Sequence, residues 1–168
     1  EIGVEGVDLI RRMQSASARM KTLIDSLLSF SRVSFNENAH QLVNLSQLVK
    51  EVLADMETTI REKDALLHLD RLFPIMGEPM QLQQLFQNLI SNALKFTKPG
   101  QRPVVHVTSR IVSGRDSGLA MPQEAMEKNY QLIEVKDEGI GFEPEYSQKI
   151  FQLFQRLHGK NEFPGSGM

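Results

Sequence analysis

The sequence predicts an α/β two-layer sandwich, a mixed sheet with helices on one face, preceded by a long heptad-patterned α-helix. Three observations carry that reading. Residues 7–32 hold an unbroken heptad of apolar positions. After a polar break, stretches of period two and of period 3.6 succeed one another as strand, helix, strand, helix, strands, helix. Gly77-Glu78-Pro79 and Pro99-Gly100 bracket the helix that contains FQNLISNALKF.

At 168 residues the chain has room for one domain and a helical extension, or for one large domain. Its 40% hydrophobic and 24% charged residues are those of a globular protein. A net charge of −2 gives no reason to expect nucleic acid or an anionic membrane as partner. The absence of cysteine excludes disulfides and thiolate chemistry, and fits a reducing compartment such as the cytoplasm. No apolar run approaches the roughly 18 residues of a membrane span. The opening EIGVEGVDLIRR lacks a signal-peptide core and reads as an internal cut from a longer protein.

In the first segment Leu9, Met13, Ala16, Met20, Leu23, Leu27 and Phe30 alternate steps of four and three. That is a heptad seam, with Arg, Lys, Asp and Ser outside it and Ile10, Ile24 and Leu28 widening the stripe. Two readings compete: a helix lying on its own domain, and one helix of an intermolecular or hairpin bundle. The second is favoured because no helix of matching length follows. Ser34 to His40 is the polar boundary. Beyond it, QLVNLSQLVKEVLADMETTIREK reads as a short strand and a helix, N-capped by Asn44 or Ser46 and burying Leu48, Val49, Val52, Leu53, Met56 and Ile60. Ala65 to Asp70 is a strand.

The next helix, from Pro79 to about Thr97, contains FQNLISNALKF. Asn88, Asn92 and Lys95 fall at i, i+4 and i+7 and make one polar line. Leu82, Leu85, Phe86, Leu89, Ala93 and Phe96 cover much of the remaining surface. Asparagine competes for backbone hydrogen bonds and is a poor helix former, so the pair is expected to have a partner other than water. Arg102 to Val112 and Asn129 to Asp137 read as neighbouring strands joined by a long surface loop, and Pro144 starts a final helix.

The second of those strands ends in IEVKDEGIGF. Ile133, Val135 and Asp137 share a face, which places a carboxylate beside apolar neighbours. Gly139 and Gly141 allow a tight turn and close backbone approach by a ligand. A carboxylate there accepts a hydrogen bond from the exocyclic amine of adenine and repels the carbonyl of guanine; a plain turn with a capping aspartate has the same sequence. Near the end, Phe151 and Phe154 lie three apart, and Gly165 and Gly167 form a second glycine pair suited to phosphate oxygens. A mobile lid on an apolar hinge has this pattern, and so does ordinary core packing.

Taken together, NLISNALKF, DEGIGF, IFQLF and GSG, in that order, resemble the ATP-binding domain of sensor histidine kinases, a branch of the Bergerat-fold (GHKL) superfamily. The order and spacing of the four boxes, not any one of them, carry the resemblance. It implies that residues 1–35 belong to the second helix of a dimerisation and histidine-phosphotransfer hairpin, and residues 41–168 to the catalytic domain. It implies ATP and Mg²⁺ as cofactors, with Asn92, and Asn88 beside it, on the cation. Lys95 then neutralises phosphate charge, Asp137 reads adenine, and Gly139 and Gly141 shape the pocket floor. Phe151 and Phe154 match the aromatic box at the lid base, Gly165 and Gly167 the lid's phosphate-side glycines. The partners implied are a second copy, as a homodimer, and the receiver domain of a response regulator, the output being a two-component phosphorelay.

In hydrolysing relatives a glutamate base precedes the magnesium asparagine by four residues; here that position is Asn88, which cannot take a proton. ATP is therefore expected to be held for transfer rather than hydrolysed. Two other readings remain, a hydrolysing GHKL ATPase and a non-catalytic dimerisation or nucleotide-binding module. The phospho-accepting histidine is not in this chain: His40, His68, His106 and His158 lack its context. The family pattern also continues past Met168, so the catalytic domain reads as truncated, and the chain alone is not expected to autophosphorylate.

Overall fold

The computed structural model describes residues 3–31 and 40–147. They fall into two units, 3–31 with 142–147, and 40–141, each taken by itself below. In the first, a single helix, α1, spans Val4–Ser31. Its seam residues Leu9, Met13 and Met20 are 60%, 64% and 58% exposed, too much for a buried stripe of an isolated unit. Arg12 and Asp8 pair at 2.8 Å on its surface, an i,i+4 contact in solvent that adds only about 0.3–0.5 kcal/mol. Pro144–Tyr146 is a short 3₁₀ turn, and most of the helix expected after Pro144 lies outside the described residues.

The second unit is the α/β sandwich. β1 (Gln41–Val43) leads into α2 (Leu45–Asp55) and α3 (Glu57–Glu62), then β2 (Leu66–Leu69), β3 (Ile75–Gly77) and α4 (Pro79–Lys95). β4 (Val104–Ser113), the short α5 (Gln123–Met126) and β5 (Asn129–Asp137) complete it. The sheet is mixed: β4 stands in the centre, parallel to β2 and antiparallel to β5. β1 and β3 pair antiparallel as a separate two-stranded ribbon.

Asn44 is the N-cap of α2, its side chain accepting the Gln47 N–H at 3.2 Å. Ser46, the other candidate, instead exchanges two hydrogen bonds with the Leu72 backbone, both at 3.0 Å, and so pins the segment between β2 and β3. The single helix expected through Ile60 breaks at Met56, although the apolar periodicity runs on across the break. α3 ends in a turn that puts Asp64 at φ 50°, with the Ala65 N–H reaching back to the Ile60 carbonyl. The loop expected between β4 and β5 is ordered, by a 3₁₀ turn at Arg115–Ser117, by α5, and by an Arg115–Glu127 ion pair.

The core lies between the helices and one face of the sheet. Leu45, Val49 and Val52 of α2 and Phe86, Ile90 and Leu94 of α4 are buried with Val105 and Val107 of β4. Each such side chain contributes about 1.5–3 kcal/mol relative to exposure. The buried stripe of α4 is Phe86, Ile90, Ala93 and Leu94. Leu85 and Leu89 are 51% and 39% exposed. On the sheet's other face His68 and His106, opposite each other in the β2–β4 register, stack at 4.6 Å.

Candidate functional site

α4 presents its polar line to solvent. Asn88 and Asn92 are both exposed, open to a partner from outside the chain. Asn88 Oδ1 accepts one hydrogen bond, from Gln84 Nε2 one turn earlier, at 2.9 Å. Steps of three and four link Leu85, Asn88, Leu89 and Asn92, so one exposed flank carries two amides beside two leucines. Lys95, in the last turn, suits the negative end of the helix dipole and holds its Nζ 4.4 Å from the centre of the Phe96 ring.

Asp137 ends β5, opposite the fully buried Val105. Its neighbours Ile133 and Val135 pack on the core, as their alternation requires. Asp137 itself is exposed rather than buried. Its Oδ1 accepts the Gly139 N–H at 2.8 Å, an Asx turn that fixes the following loop. Gly141 sits at φ 63°, a left-handed conformation that disfavours any side chain.

The two pieces meet through backbone. The Phe96 N–H closes the last turn of α4 on the Asn92 carbonyl at 2.9 Å, and the Phe96 carbonyl accepts the Ile140 N–H at 2.9 Å. A Cβ at Gly139 would overlap that same Phe96 carbonyl. The absent side chain of Gly139 thus makes room for the protein's own backbone, not only for a ligand as the sequence suggested. Asn92, Lys95, Asp137, Gly139 and Gly141 are brought to one corner of the sandwich, with Asn88 one turn back along α4.

Phe151, Phe154, Gly165 and Gly167 lie outside the described residues, as do His158 and the boundary stretch before His40. Among the described residues no three His, Cys, Asp or Glu side chains gather where they could hold a metal ion. Phe96 was not read as a site residue: its role is a backbone carbonyl, and no side-chain pattern marks one.

With this geometry in place, the comparisons with known proteins settle the class. The family of histidine kinase-, DNA gyrase B- and HSP90-like ATPases matches over residues 77–168, and the chain belongs to that family. It carries an ATP-binding domain of the type found in histidine kinases. Cyanobacterial phytochrome A of Nostoc sp. is 36% identical over 98% of the chain, and the phytochrome-like protein Cph1 of Synechocystis sp. is 30% identical over 89%. The chain spans 18% of the length of each. Among solved structures, full-length ShkA in complex with AMPPNP matches 99% of this chain and 32% of its own, with a TM-score of 0.64 at 20% identity. The catalytic domain of histidine kinase ThkA matches 76% of this chain and 73% of its own, with a TM-score of 0.55 at 20% identity. At such identities the likeness is one of fold. Among the described residues no helix is long and apolar enough to cross a membrane.

Proposed function

We propose that this chain is the ATP-binding catalytic region of a sensor histidine kinase, residues 41–168, joined to the second helix of its dimerisation and phosphotransfer hairpin within residues 1–35. The reaction is transfer of the ATP γ-phosphoryl to a histidine on the first hairpin helix, for relay to an aspartate of a response regulator in the cytoplasm. One observation carries the assignment. The Phe96 carbonyl ties the Asn92–Lys95 end of α4 to the Asp137–Gly141 loop, so a carboxylate, two amides and an ammonium share one corner.

There, Asp137 keeps acceptor capacity beyond its bond to Gly139, enough for the exocyclic amine of adenine. Lys95 stands at the phosphate end. Asn92, with Asn88 beside it, offers neutral amide oxygens, which fit Mg²⁺ only where phosphate and water supply the remaining ligands and the charge. When bound, that ion neutralises charge on the phosphates. Asn88 cannot accept a proton from water, so the site holds ATP for an outside nucleophile. The exposed seam of α1 fits burial against the first hairpin helix and a second copy of the chain. Gly165 and Gly167, with Phe151 and Phe154, form the lid in this reading.

The test is labelling with γ-phosphate-labelled ATP. The parent protein is expected to carry acid-labile label on a histidine within about 50 residues upstream of Val7, since a hairpin of helices about 25 residues long places it there. Rapid release of free phosphate without labelled protein contradicts the kinase reading and favours a hydrolase.

A further inference from the structure

The geometry points to Lys63 as a positioning residue for the nucleotide site, acting from outside it through the end of α4; this rests on the ATP-binding reading above. Lys63 is the last residue before the left-handed turn at Asp64, and its backbone N–H is held by the Thr59 carbonyl at 3.1 Å. The turn is closed by the Ala65 N–H on the Ile60 carbonyl at 3.0 Å. From that fixed base Lys63 Nζ donates to the Leu94 carbonyl at 2.8 Å, across 31 residues of sequence.

Leu94 lies in the last turn of α4, where carbonyls have no partner inside the helix. Thr97 Oγ1 donates to the same oxygen at 3.1 Å. An ammonium at this place satisfies an open acceptor and also complements the negative end of the helix dipole. Two residues on, the Phe96 carbonyl holds the Ile140 N–H. The path is therefore short and made of named bonds: Lys63 fixes Leu94, Leu94 and Thr97 fix the exit of α4, and Phe96 sets the loop that carries Asp137, Gly139 and Gly141. If Lys63 lets go, the helix end is free to fray, and both Lys95 and the Asp137 loop lose their common reference.

Lys63 is exposed and belongs to neither the polar line of α4 nor the glycine loop, so its replacement leaves the core intact. The experiment compares Lys63→Met, which keeps the aliphatic stem and removes the charged donor, with Lys63→Arg, which restores a donor. Amide exchange is read on the ¹⁵N-labelled chain, and AMPPNP affinity is read by calorimetry with Mg²⁺ present. Loss of one such bond should speed exchange of the Ile140 amide about fivefold in Lys63→Met, leave the Val107 amide unchanged, and weaken AMPPNP binding by a similar factor. Lys63→Arg should return both toward wild type. Unchanged Ile140 exchange, equal acceleration of all amides, failure of the arginine to restore, or faster Ile140 exchange at unaltered affinity each overturns the proposal. Absence of AMPPNP binding by the wild-type chain overturns the ATP reading instead, and Ile140 exchange alone then decides whether Lys63 holds the loop.

Discussion

Gly139 shows how a single missing Cβ organises the site. Any side chain there would collide with the Phe96 carbonyl, and the collision is with backbone, which cannot swing away as a flexible side chain can. Gly139→Ala should therefore push the Asp137 loop off the end of α4. A destabilisation of about 1–3 kcal/mol is expected, together with weakened nucleotide binding, and thermal melting with calorimetry would read both. An alanine variant that melts and binds like wild type would mean that the loop is not set by this contact. The sequence expects Gly139 to admit a ligand and does not show the Phe96 carbonyl, because a glycine that admits a ligand and one that admits a distant carbonyl look alike. Asp137 stands at the strand end that the sequence expects, but alternation alone does not reveal that it is exposed there.

At the scale of elements, α4 is the part that joins core to site. Its buried side carries Ile90, fully buried between α2 and the sheet, while its exposed flank carries Asn88 and Asn92. Stability and function can be separated on one helix. Ile90→Ala should cost about 2–5 kcal/mol in chemical denaturation, with the size set by how far the cavity collapses; a cost below about 1 kcal/mol would show that α4 is not packed as described. Periodicity locates α2, α4 and the strands of the mixed sheet. It ran α2 into α3, since no glycine or proline marks the break at Met56, and it passed over β3, which at three residues is too short to show an alternation.

For the whole molecule, the corner that gathers Asn92 and Asp137 is held by bonds between residues far apart in sequence. Phe96 to Ile140 and Lys63 to Leu94 are main-chain acceptors reached across 44 and 31 residues (96 to 140; 63 to 94), and no local pattern encodes them. The four short boxes nevertheless identified the family, because a nucleotide site of this kind needs certain side chains in a fixed chain order whatever holds them together. The exposed seam of α1 and the Asn92–Asp137 corner of the sandwich are the two features on which the proposed kinase function rests.

In the proposed function Asp137 recognises adenine in the corner where Asn92 serves the cation. Calorimetric titration of AMPPNP, with and without Mg²⁺, into wild type and Asp137→Asn tests it most directly. The account predicts Mg²⁺-dependent binding by the wild type that the substitution weakens by about tenfold or more, the loss of one charge-assisted hydrogen bond. Equal affinity of the two proteins for AMPPNP would contradict it.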